Sequence, residues 1–499
     1  MTRAKKAIYT SISSTAHQII AIVCGFIIPR LFLTHYGSAV NGLVASITQF
    51  LGFISLAELG VGAVVQSSLY KPLANKDTIE VSKIFKSCNN FFRVIGFILL
   101  VYSVGLALIY PFVVREKFDY VFTALLVVII AISTFSQHYI GMSYRLLLGA
   151  DQLGFISQTI SCIALILNTV MCFVLINLEM SVHLVKLVSS LIFVLQPLIL
   201  LHIGKKKYDI QQDVVLTEEP IKQKWNGLSQ HIASVILNNT DTIVLTLFST
   251  LENVSIYSVY YMVANGVKSI VSSFTAGYVA MFGNMLAKGE KDKAITTFSA
   301  FEWLIHTLTT FAFGLTGVLI VPFVAVYTSG ISDCNYIIPS FGALIAIALG
   351  SYCIRLPYNI MVMAAGHYKQ TQWSAIIEAL INIVVSLILV FSFGLVGVAI
   401  GTLCAMTYRT VYFAYYLSKN ILCRNLHHYV KHCSVDIICV ILLVIITRFI
   451  SFEVSNYLRW GLLALVYCAV FGALLIIVNI IFYKKEVMFF LNRIVKKQK

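Results

Sequence analysis

The stretch HIGKKKYDIQQDVVLTEEPIKQK, from His202 to Lys224, decides the architecture of this 499-residue chain. It is the longest polar stretch within the apolar part of the sequence, which continues on both sides in runs of 20 residues or more without strand-like alternation. A run of about 20 apolar residues is long enough to cross a membrane as a helix. The stretch therefore predicts a cytoplasmic linker between two blocks of transmembrane helices.

The overall composition agrees with a membrane protein. Hydrophobic residues make up 59% of the chain and charged residues 11%, against about 25% charged residues in soluble proteins. In lipid every backbone polar group needs an internal partner, which leaves helices or closed barrels. We therefore predict an all-α, polytopic membrane protein with about fourteen transmembrane helices, arranged as two six-helix lobes plus two C-terminal helices.

The apolar runs define the predicted helices and domains. The helices are predicted near 12–34, 42–70, 91–114, 120–143, 154–177, 183–203, 226–249, 255–287, 296–326, 336–364, 371–391, 394–417, 434–451 and 458–482. The domains are an N-terminal lobe at 1–203, a cytoplasmic linker at 204–224, a C-terminal lobe at 225–418, and a basic linker with helices 13 and 14 at 419–499. The two lobes resemble each other at an offset of about 214 residues, which aligns Asn168 with Asn382 and indicates a parallel repeat.

The net charge of +15 follows the predicted topology. With the N-terminus in the cytoplasm, most of the 36 Lys and Arg residues, Arg409 among them, fall on the cytoplasmic side. The exceptions on the outer side are Arg115, Lys117, Lys186, Arg448 and Arg459. This asymmetry is the positive-inside rule. It predicts a multi-pass protein of the cytoplasmic membrane with both termini in the cytoplasm, and it removes the reason to expect a nucleic-acid partner.

Short motifs near the predicted helix ends carry a family resemblance. They are Tyr36-Gly37, Asn41-Gly42-Leu43, LAELGVG at 56–62, Gly366, and FGLVGVAIGT at 393–402. Together they resemble the Wzx-type polysaccharide flippases of the MOP superfamily over roughly residues 7–420. The resemblance implies a MATE/MurJ-like fold and translocation of an undecaprenyl-diphosphate-linked oligosaccharide by ion-coupled alternating access, for surface polysaccharide biosynthesis. It implies this lipid-linked oligosaccharide, membrane lipids and a polysaccharide polymerase as partners.

The motifs of several enzyme classes are absent from the sequence. There is no GxxxxGK[ST] for nucleotide binding, no GxSxG and no HExxH. We expect no enzymatic activity and no cofactor, and no metal beyond a coupling Na⁺.

Three cations lie at predicted membrane depth, away from both surfaces: Arg30, Lys268 and Arg355. A charge at the centre of a transmembrane helix costs roughly 2.5–3.5 kcal/mol on insertion scales, so its presence indicates function. These cations suit a cavity that binds a lipid diphosphate. The alternative is that Arg30 snorkels to the membrane surface and that Arg355 has a structural role.

Four acids also lie at predicted membrane depth: Glu58, Asp241, Glu302 and Glu378. The resemblance implies a cation-coupling site on helices 7 and 11, which corresponds to Asp241 with Asn238 and Glu378 with Asn382. Na⁺ and H⁺ both remain open as the coupling ion. Alternatively, these groups only bond neighbouring helices, or Asp241 forms a salt bridge with Lys268. Glu58 is assigned to gating or to ordering of its helix.

Two other function classes compete with a flippase. A MATE-type cation-coupled multidrug exporter would share the fold, but its cationic substrates favour an acidic cavity, in contrast to Arg30, Lys268 and Arg355. A membrane-embedded glycosyltransferase or polymerase would need an acidic catalytic site and a large outer loop, whereas every predicted outer loop is short.

Overall fold

The computed structural model describes residues 3–53, 61–211, 213–214, 228–275, 277–450 and 453–488. Within these ranges the chain is helical and has no strand, which confirms the predicted fold class. The helices are α1 (Arg3–Gly52), α2 (Val61–Asn75), α3 (Thr78–Val113), α4 (Tyr120–Ser136), a π-helix (Gln137–Gly141), α5 (Met142–Ala150), α6 (Gly154–Asn177), α7 (Val182–Lys207), α8 (Leu228–Phe248), α9 (Leu251–Ser273), α10 (Tyr278–Ala287), α11 (Lys291–Tyr327), α12 (Pro339–Ala364), α13 (Tyr368–Asn420), α14 (His427–Thr447) and α15 (Tyr457–Phe482).

Ten of the described helices are long and apolar enough to span a membrane. Many of their large apolar side chains are exposed, for example Phe97 at 65% and Ile388 at 64%. Contiguous apolar exposure of this kind is typical of a surface that faces lipid. The chain is a multi-pass membrane protein, and the count of fourteen transmembrane helices stays a prediction.

The chain divides into two compact units, Met1–Leu247 and Phe248–Lys499. The first unit contains nearly all of α8, which packs beside α1: the hydroxyl groups of Ser46 and Thr246 lie 2.7 Å apart. The hydropathy pattern predicts this helix to belong to the C-terminal lobe. The predicted boundaries at residues 203, 224 and 418 therefore stay predictions.

The helix α13 is a hairpin that contains the two predicted helices 371–391 and 394–417. It bends at Gly394, whose φ of 52° and ψ of −125° are readily adopted only by glycine. The two arms run back along each other, since Asn382 Nδ2 donates to Thr402 Oγ1 at 3.2 Å across 20 residues of sequence. A straight helix of that length would separate them by about 30 Å.

Two small residues, Gly397 and Gly401, allow the arms of α13 to approach. A Cβ atom at Gly401 would lie 2.8 Å from the backbone nitrogen of Ser386. A glycine pair at this spacing is a known contact between membrane helices. The hairpin brings residues from both arms close together, and this matters for the charged residues described below.

Replacing Gly401 with leucine is expected to force the arms of α13 apart and to lower the free energy of unfolding by about 1–3 kcal/mol or more. The measurement is thermal unfolding of the purified protein in detergent. Gly461→Leu on α15 is the matched control, because a Cβ there meets no atom within 4 Å. Equal unfolding temperatures for the two variants would contradict the close packing of the arms.

One predicted helix is interrupted. The apolar run 255–287 predicts a single helix, but α9 ends at Ser273 and α10 begins at Tyr278. The break occurs beside Gly277, which has a φ of 84° and precedes α10 as its N-cap. Lys268 therefore lies near the C-terminal end of α9 and not at the middle of a continuous helix.

The last two helices pack against α11. Leu315 and Leu319 on α11 form an apolar cluster with Leu443 on α14 and Phe471 on α15. A Cβ at Gly314 would lie 2.7 Å from Phe471, so the small residue permits the close contact. The helices α14 and α15 are thus integral to the second unit.

Candidate functional site

A buried carboxylate with two arginines is the centre of the candidate site in the second unit. Glu378, on the first arm of α13, accepts a hydrogen bond from Arg355 Nη1 of α12 at 2.5 Å. It also accepts one from Arg409 Nη1 on the second arm of α13. All three side chains are at least nine-tenths buried. Removing such charges from water costs several kcal/mol per ion, so the group indicates function or specificity more than stability.

Lys268 extends this group from α9. Its ammonium nitrogen lies 4.5 Å from the centre of the Tyr352 ring, and the Arg355 guanidinium lies 4.8 Å from the same ring. Within the part of the chain that the structure describes, no carboxylate pairs with Lys268. Lys268, Arg355 and Arg409 together with Glu378, here called the cationic cluster, are three cations and one carboxylate. Their formal charges leave an excess of two positive charges.

Excess positive charge in a buried site determines what it can bind. Guanidinium groups form paired hydrogen bonds with phosphate oxygens, and an ammonium group adds a compact point charge. A diphosphate matches both the sign and the amount of this charge. The cationic cluster can therefore bind an anionic ligand without a metal ion.

A second polar cluster lies one turn further along α12. Tyr358 donates its hydroxyl hydrogen to Glu302 Oε1 at 2.8 Å, and Arg424 Nη2 donates to the same oxygen at 2.5 Å. His306, one turn after Glu302 on α11, contacts the Tyr358 hydroxyl at 2.9 Å and Asp436 Oδ2 at 2.6 Å. This latch cluster, Glu302, His306, Tyr358, Arg424 and Asp436, joins α11, α12 and α14 with the segment after α13.

Asn382, the further predicted residue on α13, is also buried. Asn382 lies one turn after Glu378 on α13 and is fully buried, with its amide donating to Thr402. Glu378, Asn382 and Arg355 thus share one region, as the sequence predicts for Glu378 and Asn382. The sequence does not predict that Arg355 and Glu378 contact each other.

The other predicted residues belong to the first unit or lie outside the described residues. Asp241 is 2% exposed within α8, while Asn238, one turn earlier, is exposed. Arg30 is half-buried in α1. Their convergence with residues of the second unit stays a prediction. Glu58 lies outside the described residues.

Several residues of the site were missed by sequence reasoning. The sequence places Arg409 among the cytoplasmic charges, but the residue is buried in α13 and donates a hydrogen bond to Glu378. The sequence prediction of site residues does not include His306 and Asp436. Glu302 and His306 are four residues apart and therefore lie on one face of α11. That i, i+4 spacing of two ionisable residues in an apolar helix is the signal that could have identified the latch cluster.

Comparison with known proteins shows which fold this is. No protein-family profile and no curated protein matches the sequence. Among solved structures, the chain is similar to the lipid II flippase MurJ in an inward closed conformation, with a TM-score of 0.69 and 13% identity over 94% of this chain and 98% of that one. It is also similar to an inward-facing multidrug resistance MATE family transporter of the MOP superfamily, with a TM-score of 0.61 and 13% identity over 80% and 94% of the two chains.

A third similarity supports the same conclusion. A eukaryotic MATE transporter matches with a TM-score of 0.56 and 13% identity over 87% of this chain and 98% of that one. At these identities the similarities show the fold alone. The chain has a MATE/MurJ-like fold, and its matched share with MurJ extends into α14 and α15, since α14 begins only at His427.

Proposed function

We propose that this protein is a flippase that translocates an undecaprenyl-diphosphate-linked oligosaccharide across the cytoplasmic membrane by ion-coupled alternating access. The observation that carries the proposal is the excess of cations in the cationic cluster. A lipid-linked diphosphate must cross the apolar core with its charge neutralised, because an isolated charge there is costly. Lys268, Arg355 and Arg409 supply this neutralisation, and Glu378 keeps the two guanidinium groups in position.

The fold supports a lipid substrate as well. The similarity to the lipid II flippase covers 94% of this chain, including residues of the last two helices. A MATE-type multidrug exporter remains the alternative, since MATE transporters share the fold. Cationic drugs would be repelled by the excess positive charge of the cationic cluster, and this argues for the anionic substrate.

Reconstitution into proteoliposomes tests the substrate class. We expect a fluorescent undecaprenyl-diphosphate-linked glycan to move between leaflets in protein-containing vesicles, and a cationic dye to remain where it was loaded. Protein-free vesicles are the control. Transport of the dye without movement of the lipid would contradict the flippase proposal and support the multidrug exporter.

For the coupling ion we propose Asp241 as the principal site, with Asn238 one turn earlier on α8 as a further group. A buried carboxylate in an apolar helix must be neutralised by a proton, a metal cation or a basic side chain. Glu378 already has two guanidinium partners, so a further cation there would be repelled by both arginines. Glu378 is therefore left out of the proposed ion site, and binding of Na⁺ or H⁺ at Asp241 is the proposal that the following variants test.

Asp241→Asn is expected to abolish the stimulation of lipid transport by a Na⁺ or proton gradient, because the amide cannot neutralise and release a cation. The measurement is transport in proteoliposomes with and without each gradient. Glu453→Gln, at an exposed position, is the matched control. If the double variant Asp241→Lys with Lys268→Asp restores transport, the two residues form a salt bridge and the ion site is disproved.

A further inference from the structure

A basic groove in the first unit lies between α3 and the end of α7. It encloses about 840 Å³. Five cations line it, together with the single carboxylate of Asp209. The cations are Lys86 and Arg93 from α3 and Lys205, Lys206 and Lys207 from the last turn of α7. The groove is separate from the cationic cluster, which belongs to the second unit.

The π-helix lines this groove with Tyr139 and Ile140. Its Tyr139 packs on α3, where a Cβ at Gly96 would lie 2.8 Å from the tyrosine ring. On the other side a Cβ at Gly141 would lie 2.7 Å from Pro197 of α7. The π-helix therefore fits between the two helices only because both contact positions are glycine. π-helical turns are rare and frequently occur at functional sites.

The groove continues into a surface that faces lipid. On α3 the side chains of Val94 and Phe97 are 59% and 65% exposed, directly beyond Arg93. On α7 Leu198 and Ile199 are 42% and 44% exposed, about two turns before the lysines. Phe97 lies one turn from Arg93 and Leu198 two turns from Lys205, so an exposed apolar surface adjoins the cationic groove on both helices. An amphiphile with an anionic head and apolar chains has the complementary arrangement.

The positive-inside rule accounts for only part of this charge. Lys205, Lys206 and Lys207 end a transmembrane helix, where such residues commonly set topology. Arg93, by contrast, lies about four turns after the start of α3, next to exposed apolar residues. Among the described residues no carboxylate pairs with Arg93, which leaves its five N–H donors available to a ligand.

We propose that this groove binds the phosphate head group of an anionic membrane phospholipid. Arg93 contacts the phosphate oxygens from α3, and the lysines of α7 contact them from the opposite side. Lys86, whose ammonium group donates to the backbone oxygen of Val214 at 2.9 Å, adds its positive charge to the groove. The acyl chains lie along Phe97 and Leu198. Basic pockets between transmembrane helices bind anionic head groups in this way. The site holds a resident lipid and does not depend on the proposed substrate.

The test uses the full chain in nanodiscs of phosphatidylcholine with and without phosphatidylglycerol, and native mass spectrometry to count retained phosphatidylglycerol. The double variant Arg93→Gln with Lys86→Gln is expected to weaken retention about 25-fold, since each basic residue near an anionic lipid contributes about a fivefold factor. The three lysines of α7 stay in place, so the topological signal is unchanged. Arg93→Lys, which keeps the charge, should retain the lipid.

Two matched controls decide the outcome. Arg115→Gln with Lys117→Gln removes the same charge beyond the opposite end of α3 and should leave retention unchanged. Inorganic phosphate added to wild-type protein should not displace the lipid, because it lacks acyl chains. Equal retention in wild type and the Arg93 and Lys86 variant would overturn the proposal. So would equal losses in both double variants, or displacement of the lipid by inorganic phosphate, which would indicate a free-phosphate site.

Discussion

Replacing Lys268 with alanine is expected to reduce translocation of the diphosphate-linked lipid by about 10- to 100-fold. A hydrogen bond to a charged partner contributes about 1.5–3 kcal/mol, and each 1.4 kcal/mol corresponds to a factor of ten. The protein should remain folded, because the contact of Lys268 in this unit is with the ring of Tyr352. Such a cation–π contact contributes only about 0.5–2 kcal/mol.

The measurement is complementation of a flippase-null strain together with the amount of protein in the membrane. Lys288→Ala, at an exposed position after α10, is the matched control and should export glycan normally. Arg355→Ala is expected to abolish complementation as well, and Arg30→Ala to have the same or a milder effect. Normal export by all three alanine variants at Arg30, Lys268 and Arg355 would disprove the role of these cations in binding.

The second large effect is expected at Glu378. The variant Glu378→Gln leaves Arg355 and Arg409 buried without their carboxylate. Breaking a buried ion pair by removal of one partner costs about 3–5 kcal/mol. We therefore expect a marked decrease in the unfolding temperature of the purified protein in detergent, in addition to loss of transport.

A second substitution distinguishes charge balance from loss of packing. Adding Arg409→Met to Glu378→Gln removes one of the two uncompensated charges, so it should recover part of the lost stability. Effects of residues in one network are not additive, and this double-mutant cycle measures their coupling directly. If Glu378→Gln unfolds at the wild-type temperature, the carboxylate does not hold the two arginines.

The sequence was sufficient for the fold class because hydropathy and loop charge are local properties. Apolar runs locate the helices, because each run is long enough to span a membrane. The interruption between α9 and α10 was not predicted, since the apolar run continues through it. A lone glycine such as Gly277 is a weak signal for a helix end.

The sequence predicts individual residues of the candidate site but not the ion pairs that they form. Glu378, Lys268 and Arg355 were selected because each is an ionisable residue within an apolar helix. The pairing of Glu378 with Arg355 and Arg409 spans 23 and 31 residues of sequence and depends on how α12 and α13 fold together. The sequence places Arg409 in the cytoplasm, since it lies about two turns before the predicted helix end at 417 and hydropathy does not locate the membrane boundary more closely than that.

The latch cluster has a consequence for the minimal length of this protein. Ending the chain before α14 would remove Asp436 from His306 and leave that buried imidazole without its carboxylate. It would also uncover the face of α11 around Leu315 and Leu319 that now contacts α14 and α15. The last two helices are therefore not a detachable appendage. A version of this protein without α14 and α15 would require redesign of α11 along with the truncation.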